Sequence, residues 1–180
     1  MRGRWRRGQT FVHAAILVGV AVTASAQNIP KEIWGKRIIR RILPTRTISC
    51  WGYPEARKLL ETEIEYSANT FRWKDVIVQS PVVDTMIVSA DQYHDDNSGH
   101  GTDSSQIDFG QLGIKTATAK RITIQHPAAS VSSATTEIPG DDVLVKSPTT
   151  IVVSACNIYF EAKRAPIRRN LPAKQHGTTR

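Results

Sequence analysis

Residues 148–164 read PTTIVVSACNIYFEAKR and form the longest strand-like run in the chain. The first half alternates Ile151, Val153 and Ala155 with Val152, Ser154 and Cys156, and the second half alternates Ile158 and Phe160 with Tyr159 and Glu161. Alternating β-branched and aromatic residues favour a strand with one drier face. At roughly 12 to 14 residues it is about twice the usual strand length, so we expect a bend or bulge near residues 155–157.

Outward from this run, period-two patterns predict seven further strands. They are residues 36–43, 63–67, 71–76, 82–90, 119–126, 130–138 and 143–146. Two short helical segments, 29–34 and 53–60, each carry an early proline, which suits the first turn of a helix. We therefore predict a mainly β fold, an antiparallel closed β-barrel of about eight strands with two short helices, forming a single domain over residues 27–164.

The first 26 residues have the pattern of a secretory signal peptide. Residues 1–7 carry four arginines and no acid, residues 11–23 are apolar, and Ala24-Ser25-Ala26 fits the cleavage site. An apolar core of this length is shorter than the roughly 20 residues that span a membrane. Arg6-Arg7 leaves twin-arginine export open as an alternative route. We expect a secreted or periplasmic mature protein without stable membrane insertion.

The positive charge of the chain lies mostly at its two ends. Without the four leader arginines, 20 of the 24 basic residues remain against 16 acids, so the net charge falls from +8 to +4. Six of those 20 lie in residues 163–180, which leaves 14 basic and 16 acidic residues in the body. Nucleic-acid binding requires a basic face on the folded domain, so we expect no nucleic-acid partner. Residues 165–180 are predicted to be a disordered basic tail.

Cys50 and Cys156 are the only two cysteines. In an exported protein the default expectation for such a pair is one disulfide, which would connect the beginning of the mature chain to its end. Two free buried thiols or one redox-active thiol are the alternatives. The chain has no CxxC motif to support redox chemistry.

The layout of residues 30–164 resembles the calycin group, the lipocalin-like β-barrels. An apolar helical turn precedes the first strand, and a basic residue, Lys163 or Arg164, ends the last. The lipocalin signature is Gly-x-Trp at the start of strand one, with the basic residue packed on the tryptophan. Here residues 35–37 read Gly-Lys-Arg, and Trp34 lies before the glycine. The resemblance implies a closed barrel around a ligand; another antiparallel barrel or a sandwich is the alternative.

A polar stretch, DQYHDDNSGHGTDSS, begins the segment 91–113 between the fourth and fifth predicted strands. It contains the candidate metal ligands His94, Asp95, His100 and Asp103. Imidazoles and carboxylates are ligands for Zn²⁺ or Ca²⁺, but the spacing completes no known coordination pattern, and a solvated loop needs the same residues. We predict no metal and no cofactor. We also predict no enzyme activity, because the chain has no GxSxG, HExxH or supported Cys-His pair.

Aromatic residues on the predicted strands are the candidate ligand-binding residues. Tyr66, Trp73 and Tyr159 would line a barrel cavity that holds a small apolar or amphipathic molecule, although ordinary core packing is the alternative. The sequence therefore predicts a non-enzymatic binding protein. The rival hypothesis is a protein-binding module, such as an inhibitor of an extracellular hydrolase, that inserts residues 91–103 into its partner.

Overall fold

We describe residues 28–99, 106–125 and 138–166 of a computed structural model of the chain. A 3-10 turn at Lys31–Ile33 precedes the sheet, and the helices are α1 Tyr53–Arg57, α2 Ala90–Asn97 and α3 Phe109–Leu112. The strands are β1 Gly35–Ile42, β2 Glu63–Tyr66, β3 Thr70–Trp73, β4 Val76–Gln79, β5 Val82–Ser89, β6 Thr118–Gln125, β7 Asp142–Ser147, β8 Thr150–Ala155 and β9 Ile158–Arg164. The predicted signal peptide, residues 1–26, and the tail beyond Pro166 lie outside the described residues.

All nine strands belong to one antiparallel sheet in the order β4-β3-β2-β1-β9-β8-β7-β6-β5. Strands that follow one another in the chain pair with each other, except β4 and β5, and the first strand pairs with the last. The sheet curls into an open half-barrel with β4 and β5 as its two edges. The predicted closed barrel of eight strands is therefore wrong, whereas the mainly β, antiparallel class is confirmed.

The opening lies where only two residues separate β4 from β5. Ser80 has a φ of +47°, and its N–H donates to the carbonyl of Asn69 at 2.8 Å. Pro81 has no N–H and cannot donate to a ladder. The chain therefore turns a corner at these residues without closing a hairpin, which leaves both neighbouring strands as edges.

The stretch 148–164 forms two strands, where the sequence predicts a single bent one. Ala155 pairs with Ile158, and the two residues between them, Cys156 and Asn157, have φ values of +53° and +58°. Two-residue hairpin turns of type I′ require a positive φ at both central positions. The predicted irregularity at 155–157 is in the right place, but it is a complete reversal of the chain.

The two faces of the sheet bury two separate apolar clusters. The inner core draws residues from all nine strands, including both edges, and also buries Ile29, Ile33, Ala56 and Leu59. The outer core packs Tyr93 of α2 and Phe109 and Leu112 of α3 against the other face. Within β8, Ile151 and Val153 belong to the inner core and Val152 to the outer core, so the predicted alternation is confirmed.

Several predicted elements differ from the structure in detail. The 3-10 turn lies within the predicted segment 29–34, and α1 is shorter than the predicted helix 53–60. Strand β4 is additional, and the segment predicted as a polar loop contains α2 and α3. Of the strand predicted at 130–138, only Ile138 lies in the described part of the chain. Within the described ranges, no helix combines the length and apolar character needed to cross a membrane.

Candidate functional site

The three predicted ligand-binding aromatic residues do not lie together. Tyr66 and Trp73 are buried in the inner core, whereas Tyr159 is buried in the outer core on the opposite face. Tyr66 stacks on Phe71 with ring centroids 5.5 Å apart, and its hydroxyl donates to the carbonyl of Gly140 at 2.9 Å. Burial raises the pKa of the Tyr66 hydroxyl well above its ordinary value. These rings pack as core residues at the positions described.

The candidate metal ligands that the structure describes belong to α2. His94 lies with its Nδ1 2.8 Å from the carbonyl oxygen of Ile107 and 3.1 Å from Oγ of Ser98. The Ser98 hydroxyl also accepts from the N–H of Ile107 at 3.1 Å. His94 thus connects α2 to the segment before α3, while Asp95 is exposed.

The other two candidates, His100 and Asp103, lie outside the described residues. Within the ranges that the structure covers, no group of three His, Cys, Asp or Glu side chains is placed to hold a metal ion.

The disulfide between Cys50 and Cys156 is present, as predicted. It joins residues 106 positions apart, with a Cα–Cα distance of 5.4 Å. One partner is the first residue of the β8–β9 turn, and the other lies in the segment between β1 and α1. The bond therefore fastens residues 43–52 to the end of the central hairpin.

Beside this bond lies a cleft of about 330 Å³, which we call the disulfide-end cleft. Its lining combines aliphatic, aromatic and hydroxyl side chains. These are Ile42, Leu43, Pro44, Thr45, Thr47, Ser49, Trp51, Tyr53 and Ile158. Ile42 ends β1 and Ile158 begins β9, so the floor of the cleft is the end of the sheet itself.

Hydrogen bonds hold the wall of the cleft to the β8–β9 turn. The N–H of Leu43 donates to the carbonyl of Tyr159 at 2.8 Å, which continues the β1–β9 pairing by one step. Thr47 Oγ1 donates to the carbonyl of Asn157 at 2.6 Å, and Asn157 Nδ2 donates to the carbonyl of Ile48 at 3.1 Å. The turn and the segment are thus hydrogen-bonded to each other beside the disulfide.

The same segment is also attached to the neighbourhood of α3. Arg46 donates its N–H to Oε1 of Gln111 at 3.2 Å, and its carbonyl accepts from the N–H of Gln106 at 2.6 Å. The wall of the cleft is therefore fixed at two points outside the sheet. A wall built in this way is preorganised, which lowers the entropic cost of binding a ligand.

The side chains that line the disulfide-end cleft are suited to binding a ligand. None of the nine lining residues carries a carboxylate, an imidazole or an amine. The Ser49 hydroxyl donates to the carbonyl of Trp51 at 2.6 Å. Tyr53 is 59% exposed at the mouth, with the guanidinium carbon of Arg57 4.9 Å from its ring centroid. An aromatic and aliphatic surface with a few hydroxyls is typical of sites for apolar or amphipathic molecules.

Trp51 and Tyr53 are the functional candidates that sequence reasoning missed. The signal was present as two aromatic residues on either side of Gly52, directly after Cys50. The pattern of a helix from residue 53 onward obscured it. The predicted bond of Cys50 to Cys156 was the usable signal, because such a bond brings Trp51 and Tyr53 close to the predicted final strand.

A cleft of about 680 Å³ on the outside of β1 is larger, but it has a different character. Lys36, Arg40 and Glu63 line it, and Lys36 Nζ forms an ion pair with Glu63 at 2.6 Å. Ala165 and Pro166, the last described residues of the chain, form part of its border. We therefore assign no site there.

No protein-family model, no curated protein and no solved structure matches this chain.

Proposed function

We propose that this protein is a secreted or periplasmic, non-enzymatic binding protein that holds a small apolar or amphipathic molecule in the disulfide-end cleft. The observation that carries the proposal is the cleft itself, which is lined by Trp51, Tyr53 and three aliphatic residues. Its volume of about 330 Å³ is at the lower end of the range for small-molecule sites, roughly 300 to 1,000 Å³. A ligand of modest size would fit.

The cleft is a better location for the ligand than the barrel interior suggested by the sequence. Tyr66, Phe71 and Phe160 fill the inner core and are at most 1% exposed. Closely packed interiors leave little free volume for a ligand. The disulfide-end cleft, by contrast, is open to solvent and presents aromatic surface at its mouth.

The export part of the proposal rests on the leader pattern of residues 1–26. The disulfide agrees with it, because such bonds persist in oxidising compartments and are rare in the cytosol. The rival hypothesis, a protein-binding module acting through residues 91–103, has less support. Ala90–Asn97 is a helix whose Tyr93 is buried in the outer core, so the described part of that segment packs on the sheet.

Binding can be tested with a fluorescent apolar probe and with native mass spectrometry of protein purified from its source. We expect a saturable site whose Kd rises about tenfold in Tyr53→Ala and in Trp51→Ala, since losing one aromatic contact costs on the order of 1.4 kcal/mol. Tyr53 is exposed, so its replacement should leave the fold intact.

The matched control is Ile87→Ala on the edge strand β5, where the side chain is 61% exposed and distant in sequence from the cleft. Its Kd should equal that of the unmodified protein. Equal affinity in all four proteins, or an equal loss in Ile87→Ala, would refute the assignment of the cleft.

A further inference from the structure

Arg37 is a fully buried cation at the opposite end of β1 from the disulfide-end cleft. Its side chain is 0% exposed, and its Nη2 donates to the carbonyl of Glu32 at 2.8 Å. Its Nε and Nη1 have no hydrogen-bond partner among the described residues. A guanidinium has five N–H donors, so the three on these two nitrogens are unused. Buried charges in proteins are normally paired and hydrogen-bonded.

A second guanidinium approaches the same point. Arg164 lies opposite Arg37 in the β1–β9 register, and its Nη2 donates to the same Glu32 carbonyl at 3.2 Å. The carboxylate of Glu32 forms an ion pair with Lys120. At Glu32, the two arginines therefore contact the backbone oxygen. Within the described part of the chain, neither arginine forms an ion pair with a carboxylate. Among the described residues, two positive charges thus converge on one backbone carbonyl, that of Glu32.

The electrostatics of Arg37 agree with this geometry. Burial first, and then the nearby charge of Arg164, lower the pKa of Arg37 to about 10. The backbone at Gly35, beside the second arginine, is uncrowded. Gly35 has a φ of +97°, and a Cβ placed there would have only Nη1 of Arg164 within 4 Å, at 4.0 Å. Arg164 is exposed, so solvent reaches this side of the pair.

We propose that Arg37 and Arg164 form a binding site for a small oxyanion, the carboxylate or phosphate group of a ligand. The planar fork of a guanidinium matches the two oxygens of either group, which makes arginine the preferred residue for such anions. The anion would bind on the exposed side of Arg164 and, once this side chain shifts, accept from the unused N–H groups of Arg37, which solvent does not reach in the structure. The site is independent of the disulfide-end cleft, because it lies at the other end of β1 and β9.

The test uses the mature protein in chloride buffer, titrated separately with inorganic phosphate and with butyrate. Two readouts are followed, the thermal unfolding midpoint and the Nε–Hε resonance of Arg37 in a nitrogen–proton NMR spectrum. We expect a saturable rise in the midpoint and a saturable shift of the resonance with at least one anion. The anion that binds tells whether phosphate or carboxylate ligands are the source.

Arg164→Gln removes an exposed charge and should raise the Kd at least tenfold. The matched control, Arg72→Gln, removes an exposed arginine of β3 and should leave the Kd unchanged. Arg37→Gln should abolish binding; if that variant does not fold, the Arg37 resonance and Arg164→Gln still decide the matter. A resonance that neither anion shifts, as expected if internal water satisfies Arg37, would overturn the proposal. So would equal midpoint shifts in Arg164→Gln and in the unmodified protein.

Discussion

Glu161 is a buried carboxylate within the stretch 148–164, on the outer face of β9. Its side chain is 6% exposed and lies 2.8 Å from Lys146 Nζ, 2.9 Å from Arg41 Nη2 and 3.5 Å from Lys163 Nζ. Burial alone would raise its pKa, but hydrogen bonds from Lys146 and Arg41 outweigh that effect and leave the pKa below its ordinary value. One carboxylate therefore forms ion pairs with cations from three strands.

We expect Glu161→Gln to destabilise the protein by roughly 3 kcal/mol at pH 7, because removing one partner from a buried pair leaves the other charges uncompensated. A lowered pKa means that the carboxylate contributes stability above its unfolded-state pKa, and that this contribution disappears as the pH falls through the folded-state pKa. The difference between the two proteins should therefore shrink below about pH 4. Urea unfolding at pH 7 and pH 3 measures both values.

Glu63→Gln is the control for this prediction. Its ion pair with Lys36 is 2.6 Å long, but the two side chains are 44% and 52% exposed. Exposed pairs contribute about 0 to 1 kcal/mol, so this variant should behave almost as the unmodified protein. A Glu161→Gln protein that loses no more stability than Glu63→Gln would show that the cluster contributes little.

At the scale of elements, the β8–β9 hairpin organises the disulfide end. Cys156 and Asn157 both adopt positive φ, although neither is the glycine that such turns prefer. The disulfide to Cys50 and the side-chain bond from Asn157 to Ile48 hold them there. The turn, the segment after β1 and the cleft are therefore one structural unit.

Replacing Cys50 and Cys156 together by serine should lower the free energy of unfolding by about 4 to 5 kcal/mol, the chain-entropy value for a loop of about 100 residues. The bonds of Thr47 and Asn157 should keep part of the segment attached, so we expect a folded protein with a weakened cleft. Urea unfolding and the probe affinity of the cleft measure the two effects.

The unmodified protein in the presence of reductant is the matched control for the double serine variant. Its unfolding midpoint should fall to that of the variant. An oxidised midpoint equal to the reduced one would show that the bond does not stabilise this fold.

At the scale of the whole molecule, the two ends of the described chain meet in the middle of the sheet. β1 pairs with β9 from Arg37–Arg164 to Ile42–Phe160, and the N–H of Ala165 donates to the carbonyl of Lys36 at 2.9 Å. Beyond Pro166 the sequence contains four basic residues, no acidic ones and no apolar periodicity. This composition is the basis for predicting a disordered tail, because a segment with little apolar surface to bury does not offset the entropy of ordering it.

A protein that ends at Pro166 should therefore keep its stability within about 0.5 kcal/mol, since it retains the last hydrogen bond to β1. A protein that ends at Ala162 is the comparison. It lacks Lys163 and Arg164, which are two of the five residues of β9 paired with β1, and should unfold at a clearly lower temperature. Thermal unfolding of both proteins is the measurement. A large loss in the longer protein would show that the tail packs on the domain.

Much of the local structure was predictable from the sequence. The alternation in 148–164 assigned residues to the correct faces, because side chains of a strand alternate whatever the strand pairs with. The strands at 36–43, 82–90 and 119–126 match β1, β5 and β6 within a few residues. The disulfide was predictable because two cysteines allow only one intramolecular bond.

Tertiary structure decided how these elements are arranged. No local pattern shows that β1 lies beside β9, or that β4 and β5 stay unpaired although two residues separate them. The reversal at Cys156–Asn157 depends on contacts with residues more than 100 positions away. The identity of these two residues therefore does not predict it. The helix α2, with Tyr93 as its only buried residue, is likewise held by contacts that its polar sequence does not reveal.

The two candidate sites follow the same division. Trp51 and Tyr53 line a cleft only because the disulfide carries their segment to the end of the hairpin, and Arg37 is buried only because β2, β9 and the 3-10 turn surround it. Periodicity encodes the element and the face of a residue, since both depend on neighbours in the chain. The partner that a face meets depends on non-local contacts, and these exist only in the folded molecule.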